Sequence, residues 1–189
     1  MERTKKRPIP SKAISPNTVL CWGVLLSFLG PFVLLKINYL TAFISFITIL
    51  TYLFVYTPSK KYTSFNTIIG SIPGALPPVG GWTAATGQIN LEALMLFGIL
   101  FCWQIPHFLS LAIIYKEDYK KGGFKMLPNV TNNKNEISFQ ILFFTMALIY
   151  SSIGIYILNL TSYLYVVGAV ALGLIFLFYS SFILFDYSP

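Results

Sequence analysis

His107 is the only histidine of the sequence and sits in an apolar run, Trp103-Gln104-Ile105-Pro106-His107-Phe108. Eleven residues further on stands Asp118, within Lys116-Glu117-Asp118-Tyr119-Lys120-Lys121, and the segment closes with Gly122-Gly123 and Met126-Leu127-Pro128. An imidazole inside a membrane is costly and calls for a reason. It can ligate haem iron through a neutral ring nitrogen, or it can be a hydrogen-bonded structural group. A carboxylate at the water boundary can hold Mg²⁺, which commonly takes one or two carboxylates together with substrate phosphates. The plainer alternative for Asp118 is an ion pair with Lys116, Lys120 or Lys121. At 3.6 residues per turn, eleven residues make almost three turns. If one helix runs on through both positions, His107 and Asp118 share a face, roughly 16 Å apart along the axis, with Ser110, Leu111 and Ile114 between them.

Two basic clusters precede this segment. The first is Arg3-Thr4-Lys5-Lys6-Arg7-Pro8-Ile9-Pro10, and the second is Tyr56-Thr57-Pro58-Ser59-Lys60-Lys61, followed by Asn66. Guanidinium forks suit phosphate. Lysines at the end of one helix, close to the N-terminus of the next, can hold a diphosphate between them. Both clusters can equally be topogenic charge or contacts for anionic lipid head groups. Cys21 and Cys102 have no CxxC partner, so they are read as small apolar helix residues rather than a disulfide or zinc pair.

The elements that carry these residues belong to a membrane. Of 189 residues, 56% are hydrophobic and 10% charged, against roughly 25% charged in a soluble domain. Apolar runs near the 20 or so residues a spanning helix needs occur at 18–35, 39–57, 91–115, 138–158 and 162–185. The stretch 66–85 is less apolar and rich in Gly and Pro, and it counts as a sixth span. Its core, Ile72-Pro73-Gly74-Ala75-Leu76-Pro77-Pro78-Val79-Gly80-Gly81-Trp82, holds three prolines expected to break the helical ladder. Inside a bilayer that is tolerated only where protein or a cavity takes up the freed groups.

With the N-terminus inside, 12 of the 13 Lys and Arg fall on one side, and only Lys36 on the other. This is the asymmetry of a cytoplasmic face, so the net charge of +7 reads as orientation and not as nucleic-acid binding. The resulting expectation is one all-α polytopic membrane domain over 1–189. It has a basic cytoplasmic segment at 1–17 and a cytoplasmic active-site loop at 116–137.

The clusters in this order closely resemble the haem O synthase (protohaem IX farnesyltransferase) family of the intramembrane prenyltransferase superfamily. The matching residues are Arg3-Thr4 with Arg7-Pro8, Tyr56-Thr57 with Lys60-Lys61 and Asn66, Ile72-Pro73-Gly74-Ala75 with Pro77-Pro78 and Gly81-Trp82, and Trp103 with Pro106-His107-Phe108. Asp118-Tyr119 with Gly123 and Met126-Leu127-Pro128 completes the set. The resemblance runs from Arg3 to Pro128 by motif and over the remainder by hydropathy.

The resemblance implies transfer of a farnesyl group from farnesyl diphosphate to a vinyl group of haem B, giving haem O for respiratory oxidases, at the cytoplasmic face of a bacterial inner membrane. It implies Mg²⁺ as cofactor, with Asp118 as the metal-side acid, and diphosphate contacts from Arg3, Arg7, Lys60 and Lys61 with Asn66 beside them. His107 and Trp103 would face the haem. Haem A synthase or oxidase assembly factors would be its protein partners. The family carries an earlier acidic motif before the Arg-Thr segment, which this sequence does not contain. The six spans therefore correspond to helices three to eight of about nine, and weak activity or none is expected of this chain alone. A rival reading is prenylation of a quinone precursor or another aromatic acceptor. A second rival, from a different class, is a non-catalytic haem-binding membrane protein.

Overall fold

The computed structural model describes residues 4–131 and 133–186, and within them the chain is all-helical. Helix α1 (Pro16–Leu34) is followed by α2 (Tyr39–Leu50), which continues through a π-helical stretch, Thr51–Tyr56, into α3 (Thr57–Tyr62). Then come α4 (Asn66–Thr86), α5 (Leu91–Ile114), the short α6 (Lys116–Lys121) and α7 (Leu127–Val130), and the long α8 (Lys134–Ile157) and α9 (Tyr163–Asp186).

Local sequence sets the helix starts. Ser15 accepts from Thr18 N at 3.1 Å, with Pro16 at the first helical position of α1. Asn38, Asn90 and Asn133 cap α2, α5 and α8 in the same way. Gly87, at φ 71°, closes α4 in the left-handed conformation that glycine adopts without penalty.

Among the described residues, five helical stretches are long and apolar enough to cross a membrane: Pro16–Leu34, Tyr39–Tyr62, Leu91–Ile114, Lys134–Ile157 and Tyr163–Phe182. Helix α4 is more polar, but its 21 residues span about 31 Å, close to the hydrocarbon thickness of a bilayer. It packs against both α2 and α5. Helix α5 lies centrally, against α4 on one flank and α8 on the other, and α9 packs on α8. The chain is therefore a multi-pass membrane protein.

Two expectations are corrected. Pro73, Pro77 and Pro78 do not break α4, which stays α-helical from Asn66 to Thr86. Each proline removes one hydrogen bond, but α4 packs between two neighbours, α2 and α5, that support it. Part of that support is polar: Asn38 Nδ2 donates to Thr83 O at 2.8 Å, and the Thr41 and Thr83 hydroxyls share a hydrogen bond of 3.0 Å. The second correction concerns α5, which does not run on to Asp118. It ends at Ile114, and Tyr115 leaves the helical region at φ −106°, ψ 29° before α6 begins. His107 and Asp118 therefore belong to different helices, and the three-turn register between them does not apply.

The π-helical stretch also has a local cause. Pro58 has no N–H, and its ring crowds the carbonyl four residues back, so the turn before it widens. Thr57 completes the turn, with its N–H and its hydroxyl (2.9 Å) both donating to Tyr52 O.

Candidate functional site

A cavity of about 780 Å³ opens at the end of the bundle where the N-terminal segment, the α3–α4 connection and the α5–α7 segment meet. Its wall combines Thr4, Arg7, Pro8, Ile9 and Pro10 with Tyr56 and Lys60, then Thr67, Phe108, Tyr119, Phe124 and Met126. Ile14 and Val19 complete it, so two cations, Arg7 and Lys60, stand in a wall that is otherwise largely aromatic and apolar. The Lys60 ammonium stands 4.2 Å from the centre of the Tyr56 ring and 5.8 Å from that of Tyr52, within reach of cation–π attraction. The rings hold the charge at the cavity wall without neutralising it, which leaves it available to an anion.

Several devices build this wall. The wide turn before Pro58 delivers Tyr56 and Lys60, four residues apart, to one helix face. The Tyr56 ring nests against Gly70 of α4, where a Cβ would collide with it. The α6–α7 connection is fastened across the gap: Lys125 N donates to Lys60 O at 2.8 Å, and Asn66 Nδ2 donates to Lys125 O at 2.7 Å and to Thr63 O at 2.6 Å. Below that clip, Leu127 sits in an apolar core with Ile105, Leu109, Ile137 and Ile141. The Met126-Leu127-Pro128 run is thus an anchor, and Gly123, at φ 69°, turns the chain toward it.

The sequence-derived candidates fall into distinct places. Arg7 and Lys60 line the cavity, whereas Lys61 is exposed and is not among the lining residues. Arg3 lies outside the described residues. Asn66 is buried, and both hydrogen bonds of its amide nitrogen go to backbone carbonyls, so that nitrogen braces the site, while its Oδ1 is buried without a partner. Asp118 is half-buried on α6 and makes no ion pair among the described residues. It is not among the residues that line the cavity. His107 stacks on Trp103 with ring centres 4.8 Å apart and leans on Phe108 at 5.4 Å. Its ring nitrogens meet no hydrogen-bond partner among the described residues. It is absent from the cavity wall, which its neighbour Phe108 joins.

Tyr56, Tyr119 and Phe108 stood in the sequence only as pattern residues, and Thr67 did not stand out at all. The four-residue spacing of Tyr56 and Lys60 was the available signal for the first. Nothing in the sequence marks Thr67, whose role depends on what surrounds it.

Among the described residues, no three of His, Cys, Asp or Glu come together as a metal-binding group. No carboxylate lines the cavity, where Tyr119 and not its neighbour Asp118 joins the wall, so any metal here would have to arrive with the phosphates of a ligand. The donor set does not fit a cation caged by protein alone.

The chain is similar to several known proteins. A protoheme IX farnesyltransferase of Solibacter usitatus is 45% identical over 179 residues, covering 94% of this chain and 61% of that protein. The protein of the same name from Marinobacter nauticus is 42% identical over 182 residues, 95% of this chain and 60% of its own. That from Bacillus pumilus is 51% identical over 131 residues. The chain thus spans about three fifths of the length of the first two of these relatives. No solved structure matches it. The sequence profile of the UbiA prenyltransferase family matches residues 1–189, and the chain belongs to that family.

Proposed function

We propose that the chain carries the diphosphate-binding and acceptor-facing part of a protohaem IX farnesyltransferase, which joins the farnesyl group of farnesyl diphosphate to a vinyl group of haem B. The observation that carries this reading is the basic, aromatic-walled cavity at the start of α4, where Arg7 and Lys60 face a space large enough for a diphosphate and part of a prenyl chain.

The chemistry follows from the wall. The C–O bond between the farnesyl C1 and the diphosphate breaks, and the bonding pair leaves with the diphosphate. Arg7 and Lys60 oppose the charge that grows there, an electrostatic contribution made larger by the low dielectric of the site. The vinyl carbon of haem B forms the new bond to C1, and water then adds to the resulting cation with loss of one proton, giving the hydroxyl of haem O. Tyr56, Phe108, Tyr119 and Phe124 shield the allylic cation and offer it π-faces. Asp118 would supply the carboxylate for Mg²⁺, which when bound draws charge from the leaving diphosphate. His107, unpartnered and flanked by Trp103, would take the haem side.

The reading places the protein in a bacterial inner membrane with the cavity facing the cytoplasm, and haem A synthase or oxidase assembly factors are its proposed neighbours. Farnesyl transfer to haem B, followed by mass spectrometry of haem extracted from membranes containing the protein, tests it. With this segment carried in a full-length relative, haem O should form, Asp118→Asn should lower the yield by at least tenfold, and His107→Ala should weaken haem binding. Haem binding without any haem O, from a full-length relative carrying this segment, would sink the enzymatic reading.

A further inference from the structure

Thr67 occupies the first turn of α4, and no side chain caps that turn. The residue is 5% exposed, it forms part of the cavity wall, and its hydroxyl is buried with no hydrogen-bond partner. A threonine in a helix usually spends its hydroxyl on the carbonyl four residues back. Here the residue four back, Thr63, lies outside the helix in an extended conformation, and the Thr67 hydroxyl makes no bond to its carbonyl. An orphaned buried hydroxyl costs free energy, and in native proteins such groups find a partner. The surrounding protein offers Thr67 none, and the cavity is what remains beside it.

The surroundings decide what the partner is. Lys60 and Arg7 line the same space, and the N-terminus of a 21-residue helix presents unpaired N–H groups and the positive end of its dipole. All of these favour an anionic oxygen, to which a hydroxyl donates one more hydrogen bond. We propose that Thr67 is a ligand-contacting residue, its Oγ–H donating to a diphosphate oxygen held between Lys60, Arg7 and the start of α4. This rests on the proposed prenyl-transfer reading and adds to it a contact outside the basic clusters. A haem propionate has the same oxygen chemistry, and the test separates the two.

The measurement is equilibrium binding of farnesyl diphosphate with Mg²⁺, and separately of haem B, to the purified chain in lipid nanodiscs, without turnover. Three proteins are compared: wild type, Thr67→Val, which removes the hydroxyl at nearly constant volume, and Thr67→Ser, which keeps it. Thr67→Val should bind farnesyl diphosphate roughly tenfold more weakly, as expected for a hydrogen bond to a charged group. Thr67→Ser should bind within about twofold of wild type, and haem affinity should not move. Equal weakening in both variants would assign Thr67 to packing and overturn the proposal. So would a loss confined to haem B, which would make the propionate the partner, or unchanged binding in Thr67→Val. Wild-type protein that takes haem B but no farnesyl diphosphate would overturn the prenyl-transfer reading itself, a result distinguishable from failure at Thr67 alone.

Discussion

Lys60 and Lys61 are neighbours in sequence, yet α3 turns about 100° per residue, so only one of them can face the cavity. Lys60 does, over the Tyr56 ring, and Lys61 is exposed. Lys60→Ala should therefore weaken farnesyl diphosphate binding roughly 10- to 100-fold, the range for a lost charge-assisted contact. Lys61→Ala should stay within about twofold. Binding isotherms of the two variants side by side check this, and equal losses would show that net basic charge matters and position does not. Asn66 makes the complementary point. Its type and place suggested a polar neighbour of the diphosphate, but its amide nitrogen is spent on two backbone carbonyls, and its work is to join the α3–α4 turn to the α6–α7 connection.

Among the elements, α4 departs most from what its composition suggests. Three prolines and several glycines describe a broken segment, whereas the helix is continuous and the glycines divide into two kinds. A Cβ on Gly74 would collide with the Gln104 side chain of α5, and one on Gly70 with the Tyr56 ring, whereas Gly81 has nothing within 4 Å. Close approach of α4 to its neighbours thus depends on Gly70 and Gly74 and not on glycine content as such. Gly74→Ala should destabilise the protein by about 1–3 kcal/mol through overpacking, while Gly81→Ala should be neutral or slightly stabilising in a helix. Thermal unfolding in detergent distinguishes them. If Gly74→Ala melts with wild type, Gln104 moves aside freely and the α4–α5 contact is looser than its geometry indicates.

At the scale of the molecule, the cavity gathers the basic N-terminal segment, the end of α3 and the α5–α7 segment at one end of the bundle. Lys36 lies in the α1–α2 connection at the other end, where Asn38 joins the close of α4. Under the proposed reading, the positive-inside asymmetry and the active face would be one feature, since Arg7 and Lys60, which count toward that asymmetry, also line the cavity. In a background with Cys21 and Cys102 replaced by Ala, Lys36→Cys should react with a membrane-impermeant maleimide on intact cells. Lys120→Cys should react only after the membrane is opened. The reverse pattern would place the cavity on the outer face and exclude a cytoplasmic diphosphate donor. The outer surfaces of α1 and α9 carry exposed Leu, Phe and Tyr, as lipid-facing helices do.

Residue order alone determined the membrane class, the approximate spans and the family resemblance, and it pointed to one end of the bundle as the place for chemistry. Hydrophobic run length, proline and glycine spacing and the sign of flanking charge all act locally, so they can be read one segment at a time. Tertiary structure decided what depends on distant neighbours. It showed that α5 stops at Tyr115, so the His107–Asp118 register fails, and that α4 survives its prolines because α2 and α5 flank it. It separated Lys60 from Lys61, tied the amide nitrogen of Asn66 to two backbone carbonyls, and left Thr67 with a buried hydroxyl facing no protein partner. The physical reason is common to all of these: whether a polar group is spent or available depends on which acceptors packing brings within about 3 Å. Spacing along the chain does not carry that information.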